Sequence, residues 1–234
     1  MELLLQWGLL YLFLLPIVCW YWCINEKKGF RFFVVILICL WVNISLKYLG
    51  VHFPIDVLGG LVVGGIVICG YLFLGSKTET LLAKLRFRSA IYASAVLSLI
   101  MILYLPGKEA LVPGGVMFGI GVGYCINKRY VGFSSAAPVS RNGIAKYLTL
   151  AGRFILGMTG LLLIYFVIGK FIPQDSANYN LYGFIHIALA GLWVSVGAPW
   201  VFVRLRLADA KQPDTQDAPI GTPVEPASTE QKEQ

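Results

Sequence analysis

The sequence predicts an all-α, polytopic integral membrane bundle of about seven spans. Three observations carry this. The chain is 58% hydrophobic and only 13% charged over 234 residues, with a mean hydropathy of +0.74, far from the balance of a water-soluble domain. Its apolar runs are long and do not alternate with polar residues, which selects helices over a β-barrel. Its basic residues fall in the connections between those runs.

Apolar runs of spanning length fall at 2–24, 31–50, 56–75, 89–105, 114–127, 146–172 and 181–204. The first is retained and is no cleaved leader: Glu2 stands where a basic segment belongs, the run is too long, and no small-x-small site follows. The third opens behind Pro54 and Asp56, residues suited to a helix's first turn. Between the third and fourth runs, Ser76-Lys77-Thr78-Glu79 forms a capping-box pattern. It leads into Leu81, Leu82, Leu85 and Phe87 interleaved with Lys84, Arg86 and Arg88. This predicts an amphipathic connector on the membrane surface, against the plainer reading of a solvated linker. The short fifth run is rich in glycine. Gly115, Gly119 and Gly123, like Gly60 and Gly64 earlier, make small-x-x-x-small faces that let helices approach closely. Arg153 lies about two turns inside the sixth run, either snorkelling to the surface or held in a structural pair. Residues 207–234 become rich in proline and polar residues and lack aromatics, so they are expected to form a disordered cytoplasmic tail.

Charge parity sets the orientation. Lys27, Lys28 and Arg31 follow the first run, and Lys77, Lys84, Arg86 and Arg88 the third. Lys128, Arg129, Arg141 and Lys146 follow the fifth, and Arg204, Arg206 and Lys211 the last. The intervening loops are nearly neutral. The positive-inside rule then places the N-terminus outside, the C-terminus in the cytoplasm and residues 51–55 on the extracytoplasmic side. The same distribution accounts for the net charge of +7 without a nucleic-acid partner, and membrane lipids are the expected neighbours. Cys19, Cys23, Cys39, Cys69 and Cys125 lie in apolar runs without metal-ligand spacing, and read as buried thiols.

The chain has two histidines. His52 precedes Asp56 in the stretch Tyr48-Leu49-Gly50-Val51-His52-Phe53-Pro54-Ile55-Asp56-Val57-Leu58-Gly59-Gly60, just outside an expected helix N-terminus. Such an end offers free N–H groups to an anion, and a carboxylate in reach of an imidazole fixes its tautomer. By spacing alone, a His and an Asp at a membrane interface are more often solvated loop residues. The surrounding residues add a resemblance. The stretch resembles the third signature of the type 2 phosphatidic acid phosphatase family, Ser-Arg-x5-His-x3-Asp. Segment 10–47, with Leu14-Leu15-Pro16 and Trp41-Val42-Asn43, is similar to the first two spans of bacterial members. Segment 114–206, with Lys128-Arg129-Tyr130-Val131 and Gly197-Ala198-Pro199-Trp200, is similar to their C-terminal extension.

The resemblance implies a lipid phosphate or diphosphate phosphatase at the outer face of a bacterial inner membrane. His52 would be the nucleophile that forms a phosphohistidine and Asp56 its orienter, with no metal or other cofactor. It divides the chain into a partial phosphatase-like core at 1–75, the connector at 76–88, a four-span extension at 89–206 and the tail. The chain departs from the family at the other signatures. Lys47 matches the opening of Lys-x6-Arg-Pro, but Pro54 and Ile55 occupy the Arg-Pro places. No Pro-Ser-Gly-His occurs, and in the third signature Ser45 fits while Leu46 replaces the Arg. Lys47 and Ser45 are thus the remaining candidate phosphate contacts, and His186, at the same expected depth as His52, is a candidate surrogate acid. The chain reads as the family's second span up to Lys47 and resumes inside the third signature at Tyr48, as an internal deletion of two spans would leave it. The alternative to an enzyme is a catalytically inactive member with a structural or partner-binding role. Lone acids within the spans do not form the pairs an ion transporter would use.

Overall fold

The computed structural model describes residues 15–48, 87–104, 111–136, 143–171 and 178–210. These are almost entirely helical, with no strand among the described residues and one isolated bridge between Phe133 and Ala210. Helix α1 covers 15–23; α2 is Glu26–Tyr48; α3 is Phe87–Tyr104. Helix α4 is Leu111–Ile126, continued by a π-helical turn at Asn127–Val131. Helix α5 is Ile144–Ile168, ending in a π turn at Ile164–Ile168. Helix α6 is Tyr179–Arg204, with a π turn at Trp193–Gly197.

The positions agree with the apolar runs to within a few residues. Four helices among the described residues, in α2, α3, α5 and α6, are long and apolar enough to cross a bilayer, against the expected total of about seven. The run at 56–75, with Gly60 and Gly64, and the connector up to Arg86 lie outside the described residues.

Local chemistry sets the boundaries. Asn25 caps α2, its Oδ1 accepting from the Lys28 N–H at 2.9 Å, and Glu26 adds an acid to the first turn. Pro113 sits in the first turn of α4, where its missing N–H costs nothing. Gly132, at φ 62°, stops the π turn in the left-handed region and donates to the Asn127 carbonyl at 2.7 Å.

Helix α4 is the centre of the bundle, packed on α2, α3 and α6. Its glycine face does what the spacing predicts: a methyl at Gly119 would run into the Ala188 carbonyl of α6, and one at Gly123 into Ser195 Oγ. Gly114 and Gly121 bring α3 equally close, against Ile102 and Ser94. Two clusters fill the interior. Tyr21, Trp22, Phe33, Ile120, Phe133, Val194 and Phe202 form the larger one, and Leu37, Met101 and Met117 the smaller. Trp22 meets Phe202 edge-on at 5.6 Å, and Phe30 stacks on Tyr124 at 3.9 Å.

Antiparallel neighbours bring the basic residues together. The starts of α2, α3 and α5 and the ends of α4 and α6 share one end of the bundle, so Lys27, Lys28, Arg31, Arg88, Lys128, Arg129, Lys146, Arg204 and Arg206 gather there. Lys47 and Lys170 belong to the opposite end. The order also runs past the expected start of the tail at 207. Ala208 is buried, Ala210 bridges Phe133, and the Leu207 carbonyl accepts from Arg153. Composition marks where polar residues begin, but these backbone groups find partners inside the bundle.

Candidate functional site

His52 and Asp56 lie outside the described residues. Their neighbours in the sequence are placed up to Tyr48. Helix α2 has 23 residues, about 34 Å of rise, and carries the chain from the basic end to the other, four residues before His52. Lys47 lies in the last turn of α2. Ser45 is buried, and its Oγ donates to the Trp41 carbonyl one turn back at 2.8 Å, the usual way a mid-helix serine satisfies itself in an apolar setting.

His186 is also buried. It sits seven residues into α6 at the end opposite the basic cluster, with Nε2 3.2 Å from the Ile164 carbonyl. A carbonyl only accepts, so Nε2 carries the hydrogen. The ring lies on Tyr165 at 5.5 Å and packs close against Gly169, where an added β-carbon would come within 3.3 Å of its Cε1. Ile164 opens the π turn of α5, and such turns leave carbonyls with poorer backbone partners. In this geometry His186 ties α6 to α5.

The densest polar site in the described residues lies at the basic end. Arg153 has no exposed surface, so it does not snorkel; the structural alternative holds, with backbone carbonyls as partners. Its Nε donates to Leu207 O at 2.8 Å. Its Nη1 donates to Trp22 O at 3.2 Å and Ser135 O at 2.7 Å, and its Nη2 to Ala136 O at 2.9 Å. The Phe133 ring lies 5.7 Å from the guanidinium carbon. Beside it, Ser135 and Glu26 bind reciprocally. The Glu26 N–H donates to Ser135 Oγ at 3.1 Å, the Ser135 N–H donates to Glu26 Oε2 at 3.2 Å, and Ser135 Oγ donates to the same carboxylate oxygen.

A second layer follows one turn deeper. Tyr21 OH and Asn127 Nδ2 both donate to the Ser195 carbonyl, at 3.0 and 2.8 Å, and Trp22 Nε1 donates to the Val194 carbonyl at 2.9 Å. Asn127 Nδ2 also reaches Tyr21 OH at 3.1 Å, while its Oδ1 accepts from Phe133 N–H at 3.2 Å. Val194 and Ser195 are inside the π turn of α6. The extra residue there turns carbonyls out of the regular ladder, and side chains of α1 and α4 take them. Every buried polar side-chain atom among the described residues has a partner. This is a lock made of satisfied donors, not a reactive centre.

The sequence reading missed Tyr21, Glu26, Asn127, Ser135 and Ser195. The signal available was a polar atom inside or at the edge of an apolar run, as with Asn127 and Ser195. Nothing local says which helix supplies its partner.

Residues 111–211 match a family model described as PAP2 superfamily phosphatase, transmembrane extension. That match begins with α4 and ends just beyond the bridge at Ala210, so it encloses α4, α5, α6 and the Asn127, Arg153 and Ser195 contacts. No curated protein and no solved structure matches the chain.

Proposed function

We propose that this integral membrane protein, whose residues 111–211 match the transmembrane extension of the PAP2 superfamily phosphatases, hydrolyses a lipid phosphate or diphosphate through His52. The observation that carries the reading is the coincidence of two independent parts in one chain. One is the matched extension; the other is the His52-x-x-x-Asp56 motif in the residues that precede it. In this reading the His52 imidazole attacks phosphorus, the leaving alcohol or phosphate departs, and water releases the phosphohistidine. Asp56 holds the ring in the attacking tautomer and stabilises its charged form. Ser45 and Lys47 lie in the last turn of α2, at the end opposite the basic cluster and a few residues before the motif in the sequence, and Lys47 is the nearest cation in sequence for the phosphate. The gathering of basic ends at the other pole supports an extracytoplasmic motif, in a bacterial inner membrane with the C-terminus inside.

A specific observation favours a second reading. The sequence holds no Pro-Ser-Gly-His and no Arg-Pro after Lys47. A missing general acid costs about 10²–10⁴ in rate, and each missing phosphate donor about 10²–10³. A chain so depleted serves as an inactive member whose matched extension packs or binds. Purified protein assayed for phosphate release from lipid phosphates decides between them. The enzyme reading expects slow release that His52→Ala abolishes. Equal release, or none, from both proteins leaves the inactive member.

A further inference from the structure

The basic end carries a feature that neither the lock nor the phosphatase motif uses. A surface cleft of about 450 Å³ opens between the π turn of α4 and the last turn of α6, walled by Val131 and Val203 and lined by Tyr130, Trp200, Arg204 and Arg206. Both aromatic rings are more than half exposed, Tyr130 at 66% and Trp200 at 55%. Trp200 lies one turn before the end of a 26-residue candidate span. At that depth tryptophan and tyrosine occupy the headgroup layer of a bilayer, with arginines just beyond them.

Arg206 adds an independent sign. Helix α6 closes in a Schellman arrangement: the Arg206 N–H donates to Val203 O at 3.1 Å and the Leu207 N–H to Phe202 O at 2.8 Å. The residue at the turn must then be left-handed, the place where glycine is favoured because a β-carbon is not. Arg206 occupies it with φ 56°, the one non-glycine residue with positive φ among the described residues. Its side chain lines the same cleft as Arg204. Closing the helix explains the turn; it gives no reason for an arginine there. Two guanidiniums in a cleft rimmed by interfacial aromatics fit a phosphate ester whose acyl chains lie along α6.

We propose that this cleft is a binding site for the headgroup of an anionic phospholipid, with Arg204 and Arg206 on the phosphate and Trp200 and Tyr130 against the glycerol and upper chains. None of these residues takes part in the proposed hydrolysis, and the cleft's occupancy does not depend on catalysis.

The test uses the full-length protein in detergent, incubated with equal phosphatidylglycerol and phosphatidylcholine and examined by native mass spectrometry. Retained lipid is expected to be the anionic one. Arg206→Gly lowers that preference about fivefold while the melting temperature holds or rises, because glycine suits the left-handed turn. The stability readout thus separates lost binding from lost folding. Arg204→Gln lowers the preference similarly, and Lys146→Gln, on the exposed start of α5 at the same end, leaves it unchanged. Equal retention of both lipids, or an Arg206→Gly protein that keeps the wild-type preference, overturns the proposal. Displacement of the lipid by millimolar inorganic phosphate overturns it in favour of a soluble-anion site.

Discussion

A guanidinium inside a membrane protein must give its N–H groups to oxygen, and Arg153 gives them to four backbone carbonyls from three separate segments. Trp22 lies in the last turn of α1 and Leu207 just past α6, so both carbonyls belong to the negative ends of helix dipoles, where a cation is favoured. Water cannot replace these bonds in a buried site. Arg153→Met should therefore cost on the order of 3–5 kcal/mol, since it strands several carbonyls at once. Arg153→Lys should fall between, because three donors on one nitrogen cannot copy a planar fork. Thermal unfolding in detergent measures both; a Met variant melting with the wild type would show that the carbonyls are satisfied some other way. The sequence marked Arg153 as costly because it is a charge within an apolar run. It could not choose between escape to the surface and inward bonding, because Trp22 and Leu207 lie far from it along the chain. Tyr21 and Ser195 were harder still, each unexceptional until an irregular turn in another helix presents a bare carbonyl.

Among the elements, α4 comes from the short, glycine-rich fifth run and is the one the others pack around. Its glycines explain both facts. They shorten the apolar signal that marks a span, yet they remove the side chains that would hold α3 and α6 away. Gly119 touches backbone, and a methyl there would push against the Ala188 carbonyl and the Leu192 N–H, neither of which can swing aside. Gly119→Ala should destabilise the protein by about 1–3 kcal/mol through helix separation. Gly152 in α5 is the control, with nothing within 4 Å of an added β-carbon. Gly152→Ala should be neutral or stabilising by about 0.5–1 kcal/mol from helix propensity. Comparable losses at the two positions would mean that helix propensity, and not close approach, sets the effect. The glycine face was legible because a four-residue spacing survives in any straight helix. The π turns were not, because spans that are apolar nearly all round carry no polar stripe whose phase an inserted residue would visibly shift.

At the scale of the whole molecule, one physical claim joins the sequence and the structure: alternating helices bring alternate connections to one pole. Loop charges give a parity along the chain, and the bundle collects Lys27, Lys28, Lys128, Arg129, Lys146, Arg204 and Arg206 at a single end. This was legible because charge is counted along the chain, and helix order does the rest. The His52 and Asp56 motif is a pattern in the sequence whose residues lie outside the described ones, and the match over 111–211 stands beside it in the chain. The side on which each pole sits remains a prediction with a direct readout. In a background with the five native cysteines replaced by alanine, single cysteines at Lys146 and at Asn178 mark the two ends of the bundle. The positive-inside rule requires an impermeant maleimide added to intact cells to label position 178 and spare position 146, with the reverse in inside-out vesicles. Labelling of position 146 from outside would put the basic pole on the wrong face and move the His52 motif to the cytoplasm. Labelling of both from one side would break the antiparallel order of α5 and α6 itself.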